Sequence, residues 1–142
     1  MATSGEAPSR RDRDRLRDLS TRLLQLHGVL LDRERRAYED RHGSVPTYEL
    51  FQLVLHDAQF SWLRSLSGMI ANLDALVDAD EPISPDNVRS VFREAFALLK
   101  SGEGGDFHAK YIVALQESPD VIMAHAAVSR VLSDAGPAPG LR

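Results

Sequence analysis

The chain has 142 residues, is 43% hydrophobic and 27% charged, contains no cysteine, and carries a formal net charge of −4. That is one domain's length with enough apolar residues for a core, which excludes wholesale disorder, while the missing cysteine excludes disulfides, thiolate metal ligands and a cysteine nucleophile. No apolar run reaches the roughly 18–20 residues of a membrane span, the polar N-terminus has no signal-peptide core, and −4 is too mild a charge to announce nucleic acid.

The charge is unevenly spread. Residues 1–42 hold ten arginines against eight acids, a balance of +2, and residues 43–142 hold seven basic against thirteen acidic residues, a balance of −6. Arginine outnumbers lysine fifteen to two, the signature of a GC-rich coding bias and so of a bacterium.

Along the chain, residues 1–8 are small, polar and unpatterned and read as a frayed tail. Ser9 can cap a first helix whose Leu16, Leu19, Leu23, Leu26 and Leu30 repeat at steps of three and four, a heptad seam that Arg33 interrupts and Ala37 resumes. The helix should run to about Arg41 and stop at His42-Gly43. About thirty residues would span about 45 Å, long for so small a domain. Part of it must either lie across the whole bundle or project and pair with another chain, and the seam is the favoured contact of a homodimer.

Ser44-Val45-Pro46-Thr47 starts the next helix, with proline near the first turn. Residues 47–78 fit either one helix or a short helix ending near His56, with Asp57 capping a second. The break is favoured because Leu50 to Leu55 is apolar nearly all round, and the pattern turns amphipathic only after Asp57. Ser84-Pro85-Asp86 is a cap, an N1 proline and an acid on the positive end of a helix dipole. Val88, Val91, Phe92, Ala95, Phe96 and Leu99 should be that helix's inner stripe, with a stop at Gly102. Gly102-Glu103-Gly104-Gly105 reads as a hinge, since it lacks the Gly-Lys-Ser/Thr ending of a phosphate loop. Asp106 can cap a helix bearing Phe107, Tyr111, Ile112 and Leu115. Ser118-Pro119-Asp120 starts a last one with Val121, Ala124, Val128, Val131 and Leu132 inside, and residues 135–142 read as a second tail.

Histidine is the remaining source of site chemistry. His27, His56, His108 and His125 fall on four predicted helices beside apolar positions, and imidazoles converging inside a bundle can hold a divalent metal. His-x-x-x-His is absent, and the single Glu-x-x-His, Glu39 to His42, lies at a helix end among charges.

The segment Leu53-Val54-Leu55-His56-Asp57-Ala58-Gln59-Phe60-Ser61-Trp62-Leu63-Arg64-Ser65-Leu66 resembles the second-helix histidine and tryptophan-leucine segment of the DinB-like four-helix bundles. That resemblance implies a divalent metal held by a histidine at this point and by a pair four residues apart on a later helix. The later pair has no counterpart, because His125 has Val121 and Ser129 one turn away on either side. Only His56 carries over. The whole chain is also similar to a group of uncharacterised small bacterial helical proteins, which implies no activity.

Nucleophilic catalysis finds no support: Gly-x-Ser-x-Gly is absent, and Ser67-Gly68 falls mid-helix. In Arg10-Arg11-Asp12-Arg13-Asp14-Arg15-Leu16-Arg17-Asp18, acids alternate with arginines at spacings that allow pairs such as Arg10–Asp14 and Arg15–Asp18, a solvated helix face rather than a nucleic-acid arm. The reading is an all-α bundle of five or six up-down helices spanning residues 9–134, soluble and cytoplasmic. It is a non-enzymatic interaction or scaffold module that needs no cofactor and pairs with itself through Leu16, Leu19, Leu23, Leu26 and Leu30, with a further protein partner open. The alternatives are a metal-binding bundle using His27, His56, His108 and His125, and a small-ligand bundle with Phe60, Trp62, Phe92, Phe96 and Tyr111 lining a pocket.

Overall fold

A computed structural model describes residues 2–101 and 105–134, with side chains from Arg10 to Ser101 and from Gly105 to Ser133. Six α-helices follow one another among these residues: α1 (Ala2–His42), α2 (Thr47–His56), α3 (Arg64–Asp78), α4 (Pro85–Leu99), α5 (Asp106–Glu117) and α6 (Pro119–Asp134). A 3₁₀ turn, Ala58–Leu63, joins α2 to α3, and no strand occurs among the described residues. The fold is the all-α bundle expected from the periodicity. The expected tail at 135–142 and the glycines 102 and 104 lie outside the described residues.

The first helix starts earlier than its pattern suggests. It begins at Ala2 rather than at a Ser9 cap, so the expected tail over residues 2–8 is helical backbone. Propensity does not account for this extension, since Gly5 and Pro8 are poor helix formers. At 41 residues α1 is about 61 Å long and serves as the spine of the bundle.

Leu16, Leu19, Leu23, Leu26 and Leu30 are each fully buried within this chain. They form one core with Trp62, Leu63, Leu66, Ile70, Leu73 and Val77 of the 3₁₀ turn and α3, with Phe92, Ala95 and Leu99 of α4, and with Val121, Val128 and Leu132 of α6. The helix that packs most extensively on α1 is α6, followed by α3. Three polar ties fix α3 antiparallel to α1. Gln59 Nε2 donates to the Glu34 carbonyl at 3.0 Å, Ser20 Oγ donates to Asp74 Oδ1, and the Arg13 guanidinium donates to the carbonyls of Val77, Ala79 (3.0 Å) and Glu81 (2.9 Å). Arg13 thus satisfies carbonyls at the end of α3 that the helix itself leaves without donors. Arg33, which interrupts the leucine seam, forms a solvent-exposed ion pair with Glu117 at the end of α5.

Local signals explain most helix boundaries. Ser84 Oγ accepts from the Asn87 amide at 3.1 Å, and Ser118 Oγ accepts from the Val121 amide at 3.3 Å, so both Ser-Pro-Asp starts work as caps. Asp57 breaks the chain between α2 and the 3₁₀ turn, with extended backbone and a carboxylate that accepts from the Gln59 amide at 2.8 Å. Gly43 ends α1 at φ 89°, a conformation few other residues adopt. Pro46 sits at the N-cap of α2, next to its first turn as expected, whereas Gly105 rather than Asp106 is the cap residue of α5. The ion pairs in the first half of α1 also use other partners than the spacing suggested. Arg15 pairs with Asp12, Arg17 with Asp14 and Arg22 with Asp18, each acid preceding its base. That order matches the helix dipole, which favours acid toward the N-terminus.

Candidate interaction face

Helix α2 is the exception to this packing. Six of its ten residues are apolar, yet none is buried. At 3.6 residues per turn its side chains divide into two opposite apolar faces. Leu50, Leu53 and Val54 point inward and are half-buried, while Tyr48, Phe51 and Leu55 point outward at 75%, 62% and 48% exposure. These three lie within about 60° of one another around the helix axis, with exposed Gln52 on the same face. A helix apolar all round is ordinarily covered on all sides, so its outer face lacks the neighbour its sequence implies.

The face is held firmly although it is uncovered. Before α2, the Val45 amide donates to Glu39 Oε2 at 2.8 Å and the Arg35 guanidinium donates to the Val45 carbonyl at 3.2 Å, so the linker is tied to α1 with Val45 buried. The Val45 amide holds the Glu39 carboxyl below its usual range, assisted by Arg35 and opposed by partial desolvation. After α2, Arg64 donates to the Leu55 carbonyl, Arg41 donates to Gln59 Oε1 at 2.7 Å, and Gln59 reaches Glu34. The only ionisable groups on the helix besides Tyr48 are Glu49 in its first turn and His56 in its last.

The expected interface on α1 is corrected by this geometry. Leu16, Leu19, Leu23, Leu26 and Leu30 have no exposed surface left to offer another copy, because α3, α4 and α6 of the same chain occupy it. A heptad stripe records that a partner helix exists, not which chain supplies it.

The four histidines are not brought together. No group of three or more His, Asp or Glu side chains gathers in metal-holding geometry among the described residues. His56, to which the DinB-like resemblance points, is exposed at the end of α2. His27 is half-buried on α1 with Nε2 buried and unpartnered, and its burial lowers its pKa. His108 on α5 has a buried, unpartnered Nδ1. His125 on α6 meets Tyr111 Oη through Nδ1 at 2.6 Å, and burial, then the charge of Lys100, lowers its pKa. Burial pushes the Tyr111 hydroxyl in the opposite direction, upward, so it stays protonated.

The aromatic set considered for a ligand pocket is core. Phe60, Trp62, Phe92 and Tyr111 are buried and Phe96 packs partly buried against them. Trp62, Phe107, Tyr111 and His125 form a ladder of adjacent rings, with centroids 5.4, 5.1 and 5.5 Å apart, that joins the 3₁₀ turn to α5 and α6. The ring of Phe92 lies under the Arg15 guanidinium carbon at 5.2 Å.

Tyr48, Phe51 and Leu55 were therefore missed as surface residues. Their signal was in the sequence: a short stretch apolar on every side, sealed off by Pro46 and Asp57, is longer on apolar surface than a helix edge can bury. The other large apolar side chains left open, Leu24, Val113, Ile122 and Met123, are spread over α1, α5 and α6. No helix of the described residues is long and apolar enough to cross a membrane. Comparisons with protein-family models, curated proteins and solved structures find no match for the chain.

Proposed function

We propose that the protein is a non-enzymatic helical interaction module that pairs with a second copy of itself, and that its docking surface is the outer face of α2. The observation that supports this reading is the pairing of a rigidly tethered ten-residue helix with an uncovered stripe of Tyr48, Phe51 and Leu55. Exposed fractions of 75%, 62% and 48% on residues of this size leave roughly 350 Å² of exposed, largely apolar surface on one helix face, within the range where the largest patch on a monomer is often functional. Tyrosine and phenylalanine are also residues that interfaces favour, because they offer large contact area at low cost in rotamer freedom.

The test is site-specific photo-crosslinking in cells that express the chain. A photoreactive phenylalanine analogue at position 51 should yield a covalent adduct, while the same analogue at Asn72, exposed on α3, should not. Absence of an adduct at position 51 refutes the docking role of α2.

A further inference from the structure

Resting on that reading of α2, we infer that two copies meet by antiparallel packing of α2 against α2 about a two-fold axis beside Phe51 and Gln52. The outer face has the spacing this requires. Tyr48, Phe51, Gln52 and Leu55 are mirror-spaced about the middle of the helix, so reversing one copy sets Tyr48 level with Leu55 of the second copy and Phe51 level with Gln52 of the second copy. An isologous dimer needs such self-complementarity, since each contact must occur twice.

Side-chain polarity and the helix dipole agree with the same arrangement. Glu49 and His56 lie at opposite ends of α2 and about 20° apart around its axis, on one flank of the apolar stripe. Antiparallel packing carries Glu49 of one copy to the flank and end where His56 of the other sits, and it sets the helix macrodipoles in their favourable opposed sense. Parallel packing would leave the two Glu49 side chains on opposite flanks and at the end away from either His56, with no polar partner across the interface. A strongly charged partner finds nothing to answer it on this face, whereas a second α2 finds matching polarity.

The area fixes the strength. About 350 Å² per copy is less than half of the roughly 800 Å² per partner of a standard stable interface, so the dimer belongs among weak, concentration-dependent assemblies. Two copies of α2 cover each other's stripe without rearranging the rest of the bundle, because neither copy surrenders a buried side chain.

Sedimentation of the purified full chain from about 10 µM to about 1 mM tests this inference. The mean mass should rise with concentration from 15.7 kDa toward twice that value. Phe51→Glu should abolish the rise while leaving the helical circular dichroism and melting temperature unchanged; Tyr48→Lys, at the most exposed position, serves equally if Phe51→Glu fails to fold. Because the chain lacks cysteine, Gln52→Cys introduces a single thiol beside the axis. It should form a disulfide dimer under mild oxidation at least tenfold faster than Asn72→Cys. A monomer throughout the concentration range, association indifferent to both face substitutions, or equal oxidation rates at 52 and 72 would overturn the antiparallel dimer. The two readings fail separately: an adduct at position 51 of twice the chain mass with equal oxidation rates at 52 and 72 overturns the antiparallel arrangement while self-pairing through α2 stands, and an adduct of any other mass overturns both.

Discussion

Replacing Leu26 by alanine and, separately, Leu24 by alanine compares two leucines on one helix that differ only in what covers them. Leu26 is fully buried among its own chain's helices, and Leu24 is 52% exposed. A buried leucine cut to alanine loses its transfer energy and leaves a cavity, which costs about 2–5 kcal/mol; about 3 kcal/mol is expected for Leu26. Half-exposed Leu24 has about half its transfer energy to lose and no enclosed cavity to leave, so its substitution costs under about 1 kcal/mol. An unfolding entropy of about 2.1 cal/mol/K per residue gives a chain of 142 residues about 0.3 kcal/mol/K. Leu26→Ala should therefore lower the melting temperature by about 10 °C, and Leu24→Ala by less than about 3 °C. Thermal unfolding followed by circular dichroism at two protein concentrations tenfold apart checks both. Equal small losses, or a Leu26→Ala loss that changes with dilution, would show that the leucine seam faces another chain and would refute its placement in this core.

Ser84→Ala and Ser118→Ala should each cost about 1 kcal/mol in urea unfolding, because each removes the acceptor for an orphan amide at a helix start. Tyr111→Phe should cost about 1 kcal/mol by leaving His125 Nδ1 without its buried partner, read by the same method. His27 and His125 both have pKa values held below the ordinary 6.5 by burial, so the unfolded chain binds protons more readily than the folded one just below that pH. Stability should be at its full value above pH 6.5 and fall as pH drops from there through the lowered folded values; His27→Gln should flatten that slope in melting curves taken between pH 5 and 7.

How far the sequence could be read follows from what periodicity encodes. Steps of three and four identify Leu16 to Leu30 as a buried stripe, and Ser84, Asp57 and Ser118 announce helix boundaries through chemistry that acts within four residues. Such signals are local, and so they survive without knowledge of the fold. Which chain covers the leucines is not local: intramolecular and intermolecular packing demand the same heptads. The histidines fail for a related reason. A helical wheel places His27, His108 and His125 at the edges of apolar faces, but convergence depends on the rotation of each helix about its own axis, which side-chain packing decides. Burial of Val45 and Ile83 in connecting segments carries no periodic trace at all. For α2 the composition was visible and its meaning was not, since apolar content alone does not say whether a neighbour stands beside each face.

The most direct measurement is a dilution series of the backbone amide NMR spectrum of the unmodified chain, from about 1 mM to about 10 µM. Association through the outer face of α2 predicts concentration-dependent shifts at residues 47–56, with the amides of α3 and α4 unmoved. A spectrum that does not change on dilution, or shifts centred on any other helix, would contradict it.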